Sequence, residues 1–347
     1  MPTALASETR LRALSIGAAA SSALSRGRAS LRVHSVFSSI VNLEVEGAGI
    51  LVALSGPSGA AYPHAVVLGR APCLLPWPLE AGRGGRLVGS MIRIEGSFGS
   101  MAIDLGRARV RPERTLPPIF RLGSAYRVCA DELARLQAKR CCDLRLDCLS
   151  DSTDSAPEDA MGAMGAMGRE LRRSALAFGR AAGEAAAEAR RRGRGDALGH
   201  SESLRRSVAS LVGKGGGLTP AGDDFLCGFM AAARCATGDS GPPAGGARTR
   251  ESSFAGELGG AVEESVACTN LISASLLRCA AGGHWLAPLA DLAEAIASER
   301  EFEALRSLGE LCGLGHSSGA DIATGFFFGL GLLAVTAAGM REATAGN

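Results

Sequence analysis

Gly213-Lys214-Gly215-Gly216-Gly217-Leu218-Thr219-Pro220-Ala221-Gly222-Asp223-Asp224 runs straight into the apolar stretch Phe225-Leu226-Cys227-Gly228-Phe229-Met230. Thr-Pro ahead of a periodic apolar run predicts a helix start. Thr219 is placed to cap it, and Pro220 suits the first helical position because it has no N–H to lose. The glycines upstream let the backbone approach a ligand closely and turn its amides inward. A glycine loop that feeds a helix N-terminus is a ready anion site. The two aspartates point the opposite way, towards a cation, whether a metal or a proton. Pairing with the helix dipole is worth about 0.3–1 kcal/mol and accounts for one first-turn aspartate. It accounts less well for two, since adjacent residues point about 100° apart around a helix.

The same logic recurs at Gly315-His316-Ser317-Ser318-Gly319-Ala320-Asp321. Small residues again precede a helix. Ser317 or Ser318 can cap it, and Asp321 follows like a capping box with Asp in place of Glu. His316, beside orphan amides, is a candidate for ligand binding or proton transfer. Gly222 and Gly228 lie on the first helix, and Gly325 and Gly329 on the last. Such small residues permit close helix packing. Packed side by side with parallel starts, the two helices face one pocket with their N-termini. Lys214 and the backbone of Gly215, Gly216 and Gly217 then bind an anion together with Thr219, Ser317 and Ser318. Asp223, Asp224 and Asp321 orient its N–H groups or hold a divalent metal, and Asp223, Asp224, His316 and Ser318 converge. A third segment, Thr269-Asn270-Leu271-Ile272-Ser273, reads as the interior of a helix with Thr269 and Ser273 on one face. Its hydroxyls either join the site or bond back to helix carbonyls.

Outward from these segments, residues 33–111 are strand-like. Ile50–Leu54, Ala65–Leu68, Met91–Glu95 and Ala102–Leu105 are short, aliphatic and separated by Gly, Pro and Ser. They predict a small β-barrel or sandwich-like domain over residues 1–120, with a short N-terminal helix over Leu11–Leu24. A larger all-α domain follows over residues 121–347, making the chain an α+β protein. Its helices are predicted near 124–148, 169–192, 201–212, 219–236, 253–281, 285–297, 300–312 and 317–340. Ser150–Gly168 and 238–252 read as loops.

The 347 residues are 46% hydrophobic and carry a net charge of +2. So balanced a chain is neither a general nucleic-acid binder nor a membrane-surface binder. Ile322–Met340 is uncharged for 19 residues, the length of a membrane span. Glycines and threonines interrupt it, so we read a buried central helix. Of ten cysteines, Cys227, Cys235, Cys268, Cys279 and Cys312 sit in apolar helical patterns, and Cys141-Cys142 are adjacent without any C-x-x-C pair. Zinc spacing is absent, and the pattern predicts a reduced, cytoplasmic protein. No Walker loop, dinucleotide fingerprint or nucleophile elbow is present.

The three segments together resemble the signature of the AllH-like family, and the resemblance runs from Val33-His34-Ser35-Val36-Phe37 to the last helix. It implies a subunit of an oxamate carbamoyltransferase, which converts oxalurate and phosphate to oxamate and carbamoyl phosphate in allantoin breakdown. It further implies an oligomer with companion chains, one of them FdrA-like. In that chemistry the loop amides and Lys214 stabilise charge on phosphate and carbonyl oxygen, and His316 moves a proton at the leaving nitrogen. Two other classes use the same residues: a non-catalytic small-anion-binding or assembly subunit, and a metal-dependent hydrolase or phosphotransferase built on the Asp pair.

Overall fold

The computed structural model describes residues 7–70, 79–97, 99–139, 144–150, 166–192, 202–238 and 253–345. The chain divides into two compact units. One runs to Arg114 and includes His284–Ala287, and the other holds Thr115–Gly283 and the chain from Pro288 onward.

The first unit is a closed β-barrel. Its strands are β1 (Ser7–Ile16), β2 (Arg28–Val36), β3 (Ile40–Val45), β4 (Leu51–Ser55), β5 (Ala65–Leu68), β6 (Gly84–Val88), β7 (Met91–Glu95) and β8 (Gly99–Asp104). Around the barrel the order is β5-β4-β3-β2-β6-β7-β8-β1, and β1 closes it by pairing antiparallel with β5. The pairs β1–β8 and β4–β5 are parallel, and a short β9 (Arg109–Val110) lies parallel to the end of β1. Closure leaves no long unpaired edge for aggregation. The pleat alternation is plain in β7, where Ile92 and Ile94 are buried between exposed Arg93 and Glu95. The continuous apolar runs of β4 and β5 are buried throughout.

Leu11–Leu24 is not one helix. Leu11–Ile16 completes β1, and only α1 (Ala18–Leu24) is helical. Leu11 and Ala13 face inward or partly inward while Arg12 and Leu14 face out, which is strand alternation rather than a helical stripe, and a register shift between Ala13 and Ser15 lets Ile16 be buried as well. Ala20 and Leu24 of α1 pack into the barrel core with Leu43, Val52, Leu54, Val66 and Ile103.

The second unit is helical: α2 (Ser124–Ala138), α3 (Leu146–Ser150), α4 (Ala166–Arg192), α5 (Glu202–Ala209), α6 (Ala221–Thr237), α7 (Phe254–Ser265), α8 (Leu271–Ala281), α9 (Ala287–Ala297), α10 (Glu301–Cys312) and α11 (Ser318–Ala345). The helix predicted over 124–148 ends at Ala138 and resumes at Leu146. That predicted over 253–281 breaks at a 3-10 turn, Val266–Cys268, followed by Thr269 and Asn270. Cys268 is accordingly exposed rather than packed. Of the two predicted loops, residues 151–165 and 239–252 lie outside the described residues, while Ala166–Gly168 already belong to α4.

At the centre lies α6, every residue of which is buried from Ala221 to Ala236 except Arg234. A helix apolar all round must be enclosed by others. Phe178 of α4 stacks edge-on against Phe229 at 4.7 Å between ring centres, and Phe225, Phe326 and Phe327 are fully buried nearby. Each such ring contributes about 1.5–3 kcal/mol by leaving water. Among the described residues, no helix is long and apolar enough to cross a membrane.

Candidate functional site

The helices α6 and α11 run parallel, with their N-termini together. A Cβ added at Gly228 would come 1.8 Å from the Ile322 carbonyl oxygen, and one added at Gly325 would come 1.9 Å from that of Phe225. Only glycine fits at either place, and the parallel order shows in the contacts that follow one another along both helices: Thr219 with Ser318 at the starts, Phe225 with Gly325 further in, and Ala232 with Gly329 beyond, where an added Cβ would come 2.6 Å from that of Ala232. At the shared start, the Thr219 and Ser318 hydroxyl oxygens stand 2.6 Å apart in a hydrogen bond. The two motifs are therefore joined by a direct side-chain contact.

Asp223 and Asp224 part company here. Both are 1% exposed. Asp223 turns towards the glycine loop and the start of α8. It accepts from the Gly213 N–H at 2.7 Å, from Thr269 Oγ1 at 2.6 Å and from Ser273 Oγ at 2.6 Å. Burial raises its pKa, and these three donors draw it partly back. Gly213 is held at φ 77°, and a Cβ there would strike the Cys268 carbonyl oxygen at 2.5 Å. Asp223 is thus a clamp that fixes the loop, fully satisfied by its neighbours.

Asp224 points the other way, into the seam with α11. Burial pushes its pKa well above the ordinary value, and the nearby Asp321 carboxyl pushes it further. The Thr219 and Ser318 hydroxyls, bonding to it, pull it partly down. Its Oδ2 is buried and accepts no hydrogen bond among the described residues. Asp321 is 1% exposed in the first turn of α11. Cys227, one turn further into α6, has its thiol pushed far up by burial and by both aspartates, so it stays protonated. Among the described residues no three His, Cys, Asp or Glu side chains gather as a metal centre.

Other expected site residues sit as follows. Thr219 does not cap α6. Pro220 is the N-cap, its extended backbone (ψ 139°) aiming its carbonyl at the N–H groups of Asp223 and Asp224, and this frees the Thr219 hydroxyl for Ser318. The Ser317 carbonyl accepts from Ala320 and Asp321 and so occupies the start of α11. Lys214 gives its ammonium to Glu170 of α4, while its carbonyl accepts from Gly222. Gly215, Gly216 and Gly217 form the loop crest. Gly216 and Gly217 are exposed, and no acceptor among the described residues takes the three N–H groups. His316 is exposed in the turn before α11 and does not join Asp224. The predicted convergence therefore holds for Asp224 and Ser318, joined by Thr219 and Asp321, and fails for Asp223 and His316.

Asn270 was missed by sequence reasoning. Its Oδ1 caps α8 by accepting from Ile272 N and Ser273 N, and its Nδ2 donates to the Leu218 carbonyl at 2.9 Å. It ties the end of the glycine loop to the start of α8, where Thr269 and Ser273 donate to Asp223. The signal was present, since Asn before an apolar helical run is an N-cap. A reading of 253–281 as continuous helix concealed it. The Thr269 and Ser273 hydroxyls thus join Asp223, and it is the neighbouring Ser275 that bonds back to its helix, at the Leu271 carbonyl. Apart from this site, a cavity of about 670 Å³ opens between α2, α3, α4 and α11, lined mainly by apolar side chains such as Leu149, Leu176 and Phe328. None of the site residues lines it.

Two family models match the chain. Residues 211–330 match the oxamate carbamoyltransferase subunit AllH, and residues 12–110 match the AllH family N-terminal domain. The chain belongs to the AllH family. The first match spans all three segments of the site, from the turn before Gly213 through Asp321. The family description is that of an oxamate carbamoyltransferase subunit, and a subunit works beside other chains. No curated protein and no solved structure matches.

Proposed function

We propose that this chain is the part of an oxamate carbamoyltransferase that holds small anions at the paired starts of α6 and α11. Phosphate oxygen attacks the ureido carbonyl carbon of oxalurate, the C–N bond to the oxamate nitrogen breaks, and that nitrogen takes a proton. The products are carbamoyl phosphate and oxamate. Substrates and products are all anions. The N–H groups of Gly215, Gly216 and Gly217 and two positive helix ends suit them, because backbone donors fixed in place stabilise charge without reorganising. In this reading His316, exposed at the turn before α11, exchanges that proton.

The observation that carries this reading is the Thr219–Ser318 contact, which puts two helix N-termini at one place. A cytoplasmic assembly with an FdrA-like partner completes the proposal. Mixing the purified chain with that partner, oxalurate and phosphate should release carbamoyl phosphate, and Ser318→Ala should slow it. An assembled complex that turns over equally well without this chain refutes the assignment. One observation favours a second reading, in which the chain binds anions without catalysing. Lys214 is engaged by Glu170 and so brings no free positive charge to the loop. Chemistry supplied wholly by the partner would then survive substitution of His316.

A further inference from the structure

We propose that Asp224 and Asp321 form a site for one hard divalent cation, Mg²⁺ or Mn²⁺, at the junction of the parallel helix starts. The two carboxyls are each 1% exposed and lie on neighbouring helices. A buried carboxylate needs compensation, from hydrogen bonds or from a positive charge. Asp223 shows what full compensation looks like here, with three donors within 2.7 Å. Asp224 is as deeply buried, yet its Oδ2 accepts nothing among the described residues, and no Lys, Arg or His there forms an ion pair with it. An unpartnered buried acceptor of this kind calls for a missing ion or water.

The donor set selects the ion. The groups beside Asp224 at the helix starts are Asp321 and the Thr219 and Ser318 hydroxyls, whereas the Asp223 carboxylate is taken up by its own three donors. The ligands these four side chains offer are oxygens, which suit Mg²⁺ or Mn²⁺ rather than zinc or copper. Mg²⁺ is commonly held by only one or two carboxylates, with waters and substrate phosphate completing its shell. Thr219 and Ser318 are the half-buried members, so the open side of the site faces outward past them, towards the loop. A cation there would balance the acid pair and present positive charge to a phosphate held by the loop amides. That second role rests on the anion site proposed above, whereas the presence of the cation does not.

The test is titration of the full chain, stripped by chelator, with Mn²⁺ followed by electron paramagnetic resonance. One equivalent should bind and be displaced by Mg²⁺. Asp224→Asn and Asp321→Asn should abolish binding, Thr219→Val should weaken it about 10–100-fold, and Glu263→Gln should leave it unchanged. Wild-type protein that binds no Mn²⁺, or an Asp224→Asn variant that binds it fully, overturns the proposal; in the first case a shared proton is the cation. Calorimetry with inorganic phosphate on the same samples separates the two ideas. Mn²⁺ bound without phosphate binding leaves the cation site standing and removes the anion site, and the reverse result removes only the cation.

Discussion

Thr219 and Ser318, 99 residues apart in the chain, meet hydroxyl to hydroxyl at 2.6 Å across the starts of two parallel helices. Neither hydroxyl caps its own helix; they bond to each other and to Asp224 below. This contact turns two separate glycine-rich segments into one site and divides the acids of that site into two kinds.

Asp223 is the structural acid. Asp223→Ala would leave the Gly213 N–H and the hydroxyls of Thr269 and Ser273 without their acceptor. Hydrogen bonds to a charged group contribute about 1.5–3 kcal/mol each, and they share one carboxylate, so a total loss near 3–5 kcal/mol is expected. Urea unfolding should record it as a lower midpoint, and a variant as stable as the parent would refute the clamp.

The α6–α11 seam should reject even a methyl group. Gly228→Ala and Gly325→Ala each drive a Cβ to within 2 Å of a backbone oxygen on the facing helix. Overpacking of this kind costs about 1–3 kcal/mol, more where backbone must move. Thermal unfolding should show each variant less stable, and Gly216→Ala, which meets open space, should be near neutral.

The acid pair should leave a signature in the pH dependence of stability. The folded state holds the Asp224 proton more tightly than the unfolded chain, whose value is about 3.8. A folded state that binds more protons loses stability as pH rises between the two values. In the presence of chelator, stability attributable to Asp224 should therefore fall as pH climbs above about 4, and Asp224→Asn should flatten that fall. An unchanged slope in the variant would place the burden elsewhere.

His64 in the barrel should act with the opposite sign. Burial, reinforced by the Arg111 guanidinium, lowers its pKa from 6.5 to about 4. The folded state resists protonating it, so the barrel should lose stability as pH drops from 6.5 towards 4, and His64→Gln should remove part of that loss. Chemical unfolding of the two proteins at pH 7 and pH 5 checks this directly.

Much of this arrangement was legible in the sequence. The Thr-Pro start, the first-turn acids and the glycines at 228 and 325 announced two helices able to pack closely. The barrel was announced by short aliphatic runs between turns. What escaped reading depended on direction and on continuity. Asp223 and Asp224 face different partners because neighbours on a helix point about 100° apart, and no local pattern says which one meets which partner. Asn270 was hidden because apolar residues continue on both sides of the break. Leu11–Ile16 passed for helix because alanine and leucine suit either element until the β1–β8 and β1–β5 pairings decide.

The central claim, that the joined helix starts hold a small anion, is tested most directly by calorimetric titration with carbamoyl phosphate. The wild-type chain, alone or with the proposed FdrA-like partner, should bind it. Ser318→Ala, which removes one half of the hydroxyl contact that joins the two helix starts, should bind it about 10-fold more weakly, on the order of one lost hydrogen bond. Absence of heat in both wild-type samples, or equal affinity in the variant, would contradict the account.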